Sequence, residues 1–399
     1  MVQSRLRFGT FIPPYHFPDE HPALAMERDL QLAEWVDMHG YDEVWVGEHH
    51  SGGWEIQASP ELFIAAAAQR TRNIRLGTGV SSLPYHHPYV LAERIRQLDY
   101  ITRGRVMFGV GPGSLPSDAF MLGIPVAEAR DRMEEAIEPL VRLLNGETVS
   151  AKTSWFELQD AHLQLLPYND RGVEIAVAST VSPTGARAAG RFGLSLLSIG
   201  ATSTGAFNAL ASNWAIAEGM ARDHGQVVDR SGWRLVGPVH VAETREQARR
   251  NVQWGLTRWI DYITKAAALP LAPPPGVDPI DFMIDTGFAV IGTPDDCVAQ
   301  IERLKAQSGG FGCFLQLEVP WADWAETKRS YELIGRYVIP KVNGLNRNRE
   351  SSEAWVRSKN DHFRGEMNAA IGAKVAQHAV EKGVETLSPD VVQAYTKQP

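Results

Sequence analysis

Gly40-Tyr41-Asp42-Glu43-Val44-Trp45-Val46-Gly47-Glu48-His49-His50 is the stretch whose reading decides the fold. A short apolar run closed by Gly-Glu-His-His, with a helix-like segment before it, has the pattern of a buried parallel strand whose last residues emerge into a cleft. That end of a strand is where α/β folds hold their chemistry. Upstream, residues 6–12 read as a first short strand, stopped by Pro13-Pro14. Between the two strands, residues 26–39 set Leu30, Ala33, Trp35 and Val36 among charges, an amphipathic helix that Gly40 can end.

Downstream the pattern repeats. Residues 60–70 form an alanine-rich helix, 74–80 a third strand, 88–101 a helix and 105–110 a fourth strand. Four strand-then-helix units within about 145 residues imply a parallel sheet with helices packed outside. The alternation continues through a helix at 127–145, an irregular stretch at 150–167, a strand at 174–178 and a helix at 183–192. A strand at 194–198, a helix at 205–224, a strand at 235–242, a single helix at 246–268, a helix at 295–307 and a last strand at 311–317 complete it. Eight strands in series favour a (β/α)8 TIM barrel over an open doubly wound sheet.

Two segments break the rhythm. Residues 269–291 carry Pro270, Pro273, Pro274, Pro275 and Pro279, too long and too proline-rich for an ordinary connection. They form either a lid over the barrel mouth or a passive surface insertion. The barrel domain is expected over residues 1–344. From 345 to 399 the chain turns polar, with helix-like pieces such as 366–382, a C-terminal extension packed outside the barrel or on a second subunit.

Composition narrows the function. The 399 residues are 44% hydrophobic, enough for one large core, and the formal charge of -8 with no dominant basic stretch argues against nucleic acid or an anionic membrane. The opening residues show no apolar signal segment, and no run approaches the roughly 18 residues that span a bilayer. A cytoplasmic protein is the expectation. Cys297 and Cys313 cannot build a zinc site alone and sit in apolar settings, so both read as buried thiols.

Several residues could do chemistry. His49 and His50, if on a strand, point to opposite faces and cannot chelate one metal together, so one of them faces the mouth unless it is merely hydrogen-bonded at a strand end. His86-His87 follow strand three on the same rim but have no metal-ligand spacing. Gly109-Val110-Gly111-Pro112-Gly113-Ser114 is not a dinucleotide fingerprint, yet its small residues, Gly111 among them, would let a flat ligand lie against the backbone. Ser179-Thr180-Val181-Ser182-Pro183-Thr184-Gly185 is the stronger anion candidate. Ser182 fits the cap and Pro183 the first position of a helix whose free amides suit a phosphate, although an ordinary cap would look the same. Serine-hydrolase elbows, phosphate-binding Walker loops and Cys-x-x-Cys pairs are missing, which weakens hydrolase, nucleotide triphosphatase and thiol-redox readings.

The ordered set Tyr41 to His50, Ile74-Arg75-Leu76-Gly77-Thr78-Gly79-Val80, His87-Pro88, Gly104 to Gly113 and Gly292-Thr293-Pro294 resembles the bacterial luciferase-like, flavin-dependent monooxygenases over about residues 5–340. Gly47-Glu48-His49-His50-Ser51 through Trp54-Glu55-Ile56, with Ser82-Leu83-Pro84-Tyr85-His86-His87-Pro88, is most similar to the limonene 1,2-monooxygenase type within that family.

The resemblance implies a barrel that binds reduced FMN at its C-terminal rim, flavin supply by a separate reductase, a C4a-peroxyflavin formed with O2, and transfer of one oxygen atom to a small apolar organic substrate. It makes His49 the catalytic histidine, puts a non-proline cis peptide at Gly79–Val80 against the flavin ring, and puts the flavin phosphate at Val181, Ser182 and Gly185. Pro112 stands where the luciferase has a phosphate-binding arginine, so that task falls to the helix after strand five, with Arg187 to assist. A homodimer through the helices after strands two and three is likewise implied. Two alternatives stay open: an F420-dependent hydride-transfer oxidoreductase on the same barrel, and a non-catalytic flavin-binding protein.

Overall fold

Alternation within the strands builds a barrel with two separate packing layers. The computed structural model describes residues 5–267 and 271–383. Along the chain come β1 (Arg7–Ile12), α1 (Pro22–Met38), β2 (Glu43–Val46), α2 (Pro60–Arg70), β3 (Arg75–Thr78), β4 (Ser81–Ser82), α3 (Pro88–Ile101), β5 (Val106–Gly111), α4 (Pro116–Met121) and α5 (Ala129–Leu144). Then follow β6 (Val149–Lys152), β7 (Glu157–Ala161), β8 (Glu174–Ser179), α6 (Thr184–Phe192), β9 (Ser195–Ser198), α7 (Thr204–Asp223) and β10 (Arg234–Val241). The series continues with α8 (Arg245–Val252), α9 (Leu256–Lys265), α10 (Pro279–Asp285), β11 (Val290–Gly292), α11 (Pro294–Ser308), β12 (Cys313–Leu317), α12 (Trp324–Leu333) and α13 (Ile339–Asn343). β1, β2, β3, β5, β8, β9, β10 and β12 pair in that order, all parallel, and β12 pairs back onto β1 to close the barrel.

Sequence chemistry explains the element starts. α2, α3 and α11 each begin on a proline, where the missing N–H is not needed, and Thr293 with Asp296 forms a full capping box on α11. In β2 the period of two sends Val44 and Val46 outward to the helix layer and Trp45 into the barrel. Phe11, Trp45, Met107, Leu197, Val236 and Leu315 fill that interior. Two large rings in a narrow barrel demand small neighbours. A Cβ on Gly77 would lie 2.6 Å from the Trp45 ring, and one on Gly79 would lie 2.8 Å from the Phe11 ring.

A buried charged network closes the N-terminal end of the barrel. Arg234, fully buried, donates to both oxygens of Glu43 at 2.9 Å and also pairs with Glu174, which takes a second bond from Arg75 at 2.6 Å. Burial opposes ionisation of both carboxyls, but Arg234 outweighs it and holds Glu43 and Glu174 below the usual carboxylate range. The Arg234 guanidinium also lies 5.2 Å from the centre of the Trp45 ring.

The structure departs from the sequence reading in identifiable places. The stretch at 150–167 is not irregular: β6 and β7 form an antiparallel hairpin that buries Val149 and Leu158. The single helix at 246–268 is two, α8 and α9, because at Gly255 the chain runs so close to the Pro320 carbonyl that a Cβ there would sit 1.9 Å from it. Residue 268 lies outside the described residues. The segment at 269–291 contains α10 and β11, and β11 pairs with β10. Ile280 and Met283 of α10 join Trp259, Tyr262, Phe288 and Trp321 in a second apolar cluster that reaches Leu115 after β5 and Val319 after β12. Residues 269 and 270 lie outside the described residues.

A second compact unit, Gly344–Pro399, contains α14 (Arg347–Ser358) and α15 (Asn360–Lys382), and neither helix has a buried residue. Its residues 384–399 lie outside the described set. Among the described residues no helix is long and apolar enough to cross a membrane, and no cluster of three His, Cys, Asp or Glu side chains could hold a metal. Both cysteines are free and buried, and burial pushes the Cys297 thiol up to about 12.

His240, at the end of β10, accepts from Asn251 at 3.1 Å, and burial lowers its pKa to about 4 against the opposing pull of Asp323. Between pH 6.5 and 4 the unfolded chain therefore takes up a proton that the folded chain refuses, so stability falls as the pH falls through that window. His240→Gln is expected to flatten that acid limb by about 3 kcal/mol, read from urea unfolding at pH 7 and pH 4.5.

Candidate active site

β2 ends at Val46, so His49 and His50 lie beyond the strand and their directions are set by a loop and not by the pleat. Both are engaged by carboxylates. His49 Nδ1 is 3.0 Å from Asp118 on α4, and its Nε2 is 2.9 Å from Glu55. Asp118 also accepts from the His50 backbone N–H at 3.1 Å and from the Ser51 hydroxyl. Each ring nitrogen of His49 faces a carboxylate oxygen, so both must carry a proton. Burial disfavours that cation, but Glu55 and Asp118 outweigh it and raise the His49 pKa to about 10.

An ordinary imidazole near pKa 6.5 trades protons freely at neutral pH. His49 instead remains an imidazolium, and it can donate toward the barrel mouth only if Glu55 or Asp118 releases one of its N–H groups.

The second carboxylate of the motif works differently. Glu48, fully buried, sits with Oε1 3.0 Å from His50 Nε2 and 2.7 Å from His86 Nε2, while its Oε2 accepts the Ser82 N–H at 2.7 Å. Arg94 donates to His86 Nδ1 at 3.1 Å, which fixes the proton of His86 on Nε2. Glu48 thereby ties the end of β2 to the loop after β3. That loop carries a cis peptide at Gly79–Val80. His87 is exposed and stands apart from this group.

The remaining residues singled out in the sequence form a run around the same rim. A Cβ on Gly111 would lie 2.7 Å from Val80 Cγ2 and 3.4 Å from Ala178, so the small residue there makes room for the Val80 side chain. Beyond Ala178 comes α6, which begins at Thr184, one residue later than the sequence suggests, with Pro183 at the cap. The Ser182 and Thr184 hydroxyls are 3.0 Å apart, and Val181 is exposed. Arg187 is exposed and its side chain has no hydrogen-bond or ion-pair partner among the described residues. Thus Gly79, Val80, Gly111 and Gly185 adjoin one another, whereas His49 belongs to a group on the loops after β2 and β5.

Gly185 lets α6 approach β8: a Cβ there would lie 2.1 Å from the Ala178 carbonyl. Gly185→Ala is expected to push the first turn of α6 off the rim and weaken binding of a phosphate-bearing ligand by at least about tenfold, measured by fluorescence titration with FMN.

The rim also contains loose polar ends. Ser81 Oγ and Thr202 Oγ1, on the loops after β3 and β9, are buried without a hydrogen-bond partner. Buried hydroxyls are seldom left unpaired, and these two fit a ligand rich in carbonyls and hydroxyls, as a flavin with its ribityl chain is. The first-turn amides of α6 suit its phosphate.

Three residues of the group around His49 escape a sequence reading: Glu55, Asp118 and Tyr262. Tyr262 of α9 donates its hydroxyl to Glu55 at 2.8 Å and stacks on Trp54 with ring centres 4.6 Å apart. No local spacing connects these residues. The only hint was Glu55 inside the Trp54-Glu55-Ile56 piece of the motif.

Comparison with known proteins places the chain in a family. Residues 6–311 match the family model described as luciferase-like monooxygenase. The chain is 47% identical over 383 residues to limonene 1,2-monooxygenase of Rhodococcus erythropolis, covering 96% of this chain and 97% of that protein. It is 45% identical over 361 residues to 4-hydroxyprotoasukamycin monooxygenase of Streptomyces nodosus subsp. asukaensis, covering 88% and 96%. Among solved structures, the oxygenating constituent of 3,6-diketocamphane monooxygenase from Pseudomonas putida, in complex with FMN, superposes with a TM-score of 0.70 at 29% identity, covering 84% of this chain and 99% of that one.

Proposed function

Because the chain belongs to the luciferase-like monooxygenase family, a family of flavin-dependent enzymes, we propose that it is the oxygenating half of a two-component system. It takes reduced FMN from a separate flavin reductase and, with O2, adds one oxygen atom to a small apolar organic substrate, a terpene such as limonene. The observation that carries this reading is His49 held between Glu55 and Asp118 beside an aromatic wall at the C-terminal end of the barrel. Tyr15, Phe17, Trp54, Trp259, Tyr262 and Trp321 make that wall through edge-on and stacked contacts. Phe17, Trp259, Tyr262 and Trp321 are buried in this cluster, and the partly exposed Tyr15 and Trp54 offer an apolar face that suits an apolar molecule.

Bound at the rim, reduced FMN would supply the electrons that activate O2. The protein's own residues do the rest. Val181, Ser182, Gly185 and the start of α6 hold the phosphate, with Arg187 free to join. Gly79, Val80 and Gly111 offer small and apolar surface to the ring, and Ser81 and Thr202 supply hydroxyl partners. The second apolar cluster, built on α9 and α10, serves as the lid that excludes water. His49 keeps a positive charge and a proton beside the reacting centre, to be released when one carboxylate lets go. Leu62 on α2 and Val90 on α3 are exposed, which supports a second copy of the chain covering that face. The formal charge of -8 suits a cytoplasmic protein served by a soluble reductase.

The test is anaerobic titration of the protein with photoreduced FMN and, separately, with reduced F420, followed by admission of O2 and a terpene. Tight binding of reduced FMN and an oxygen-dependent product are expected. Binding of F420 alone, with hydride transfer that needs no oxygen, would overturn the proposal in favour of the dehydrogenase chemistry of the same fold. Flavin binding without any turnover would leave a cofactor-binding protein.

A further inference from the structure

Glu55 stands between two elements that are far apart in sequence. One of its oxygens faces His49 Nε2 at 2.9 Å, and the other accepts the hydroxyl of Tyr262 at 2.8 Å. Glu55 is only 5% exposed, so water does not replace either partner. Tyr262 belongs to α9, inside the excursion between β10 and β11, whereas Glu55 belongs to the loop after β2. Several features hold the two together. Tyr15 forms an isolated bridge with Glu55 and packs edge-on against the Tyr262 ring at 5.9 Å. Trp54 stacks on the other side of that ring. Gly52, with φ +81°, turns the chain around the Tyr262 hydroxyl, where a Cβ would come within 3.0 Å.

From this arrangement we propose that Glu55 and Tyr262 are positioning residues through which the β10–β11 excursion fixes the orientation of His49. The inference rests on His49 being the catalytic histidine of the proposed reaction, but the linkage itself is a property of the protein without flavin. If α9 lifts from the barrel mouth, Tyr262 leaves Glu55. A buried carboxylate oxygen then loses its donor, and the cheapest remedy is for the Glu55 side chain to turn toward solvent and release His49 Nε2. If α9 is seated, Glu55 is locked and His49 is clamped between Glu55 and Asp118. The excursion thus acts as more than a cover, because its seating and the orientation of the histidine are one event. Coupling of this kind is reciprocal: disturbing Glu55 must loosen α9 as surely as disturbing Tyr262 must loosen His49.

The experiment uses the full chain without cofactor and three variants, Tyr262→Phe, Glu55→Gln and Tyr15→Phe. Ring nitrogen resonances of His49, assigned by their loss in His49→Gln, report its orientation and mobility. Amide hydrogen exchange over residues 256–265 reports the seating of α9. Tyr262→Phe is expected to shift or broaden the His49 resonances, and Glu55→Gln is expected to speed exchange over 256–265 by at least about tenfold, the loss of one hydrogen bond to a charged group. Tyr15→Phe, which keeps the ring contacts, is expected to move neither. With reduced FMN present, Tyr262→Phe should lower product per flavin consumed while flavin affinity holds. Unchanged His49 signals in Tyr262→Phe together with unchanged exchange in Glu55→Gln would overturn the inference, as would a Tyr15→Phe effect equal to that of Tyr262→Phe. A protein that passes these tests yet makes no oxygenated product would sink the proposed function and leave the linkage intact.

Discussion

Replacing His49 by alanine is expected to cut product formation by about 10²- to 10⁴-fold while changing the affinity for reduced FMN by no more than about threefold. The asymmetry follows from where the side chain points. His49 is committed to Glu55 and Asp118, and the residues proposed to hold the flavin lie on the loops after β3, β5 and β8. Without the imidazolium, two buried carboxyls share a site with no cation, and one of them takes up a proton to remain there. The fold survives and the proton source does not. Product yield and flavin fluorescence, measured on the same preparation, decide it, and equal losses in both would remove His49 from the chemistry. Asp118→Asn and Glu55→Gln should each bring the His49 pKa down from about 10 toward the ordinary range, because each deletes one of the two negative charges that raise it.

The largest effect on stability is expected at the other end of the barrel. Arg234→Ala would leave Glu43 fully buried with Arg7 at 3.4 Å as its remaining cation beside the Trp45 indole N–H, and Glu174 with Arg75 beside the Ser195 hydroxyl. Breaking a buried pair from one side costs about 3–5 kcal/mol, here a fall in Tm of roughly 4–7 °C. The pH dependence gives a second readout. In the native chain Glu43 and Glu174 have lowered pKa values, so their contribution is present above the unfolded carboxylate range and is lost as the pH falls through and below it. In the variant the burial of Glu43 is opposed by Arg7 but no longer by Arg234, so its pKa rises and the loss of stability should be smaller at pH 4.5 than at pH 7. Thermal melts at the two pH values distinguish this from simple loss of packing.

Much of the barrel was legible because its strands obey a simple rule. Val44, Trp45 and Val46 show it: a short apolar run buried on both sides, with a helix before and after, has one common home. The glycines and prolines that bound α2, α3 and α11 gave nearly their observed starts. What was illegible depended on contacts between distant residues. Nothing in residues 246–268 announces a break, because the cause is the Pro320 carbonyl pressed against Gly255 from the loop after β12. The hairpin of β6 and β7 is not legible because its half-exposed strands lack the continuous apolar run that marks the barrel strands. The site divides the same way. His49 stood out through its motif, and the motif carried the glycines of the rim. Its charge did not stand out, since it is set by Asp118 from α4 and Glu55 from a glycine-turned loop, and Glu55 is in turn held by Tyr262 from an excursion about 200 residues later. Residue types alone suggest a neutral imidazole. Geometry makes it a clamped cation.

Turnover of limonene with reduced FMN under heavy-isotope O2, with mass spectrometry of the product, tests the central claim most directly. One heavy oxygen atom per product molecule, with no product when O2 is withheld, is the predicted result. A product whose oxygen comes from water, or turnover that proceeds anaerobically, would contradict the assignment of this chain as a reduced-flavin monooxygenase.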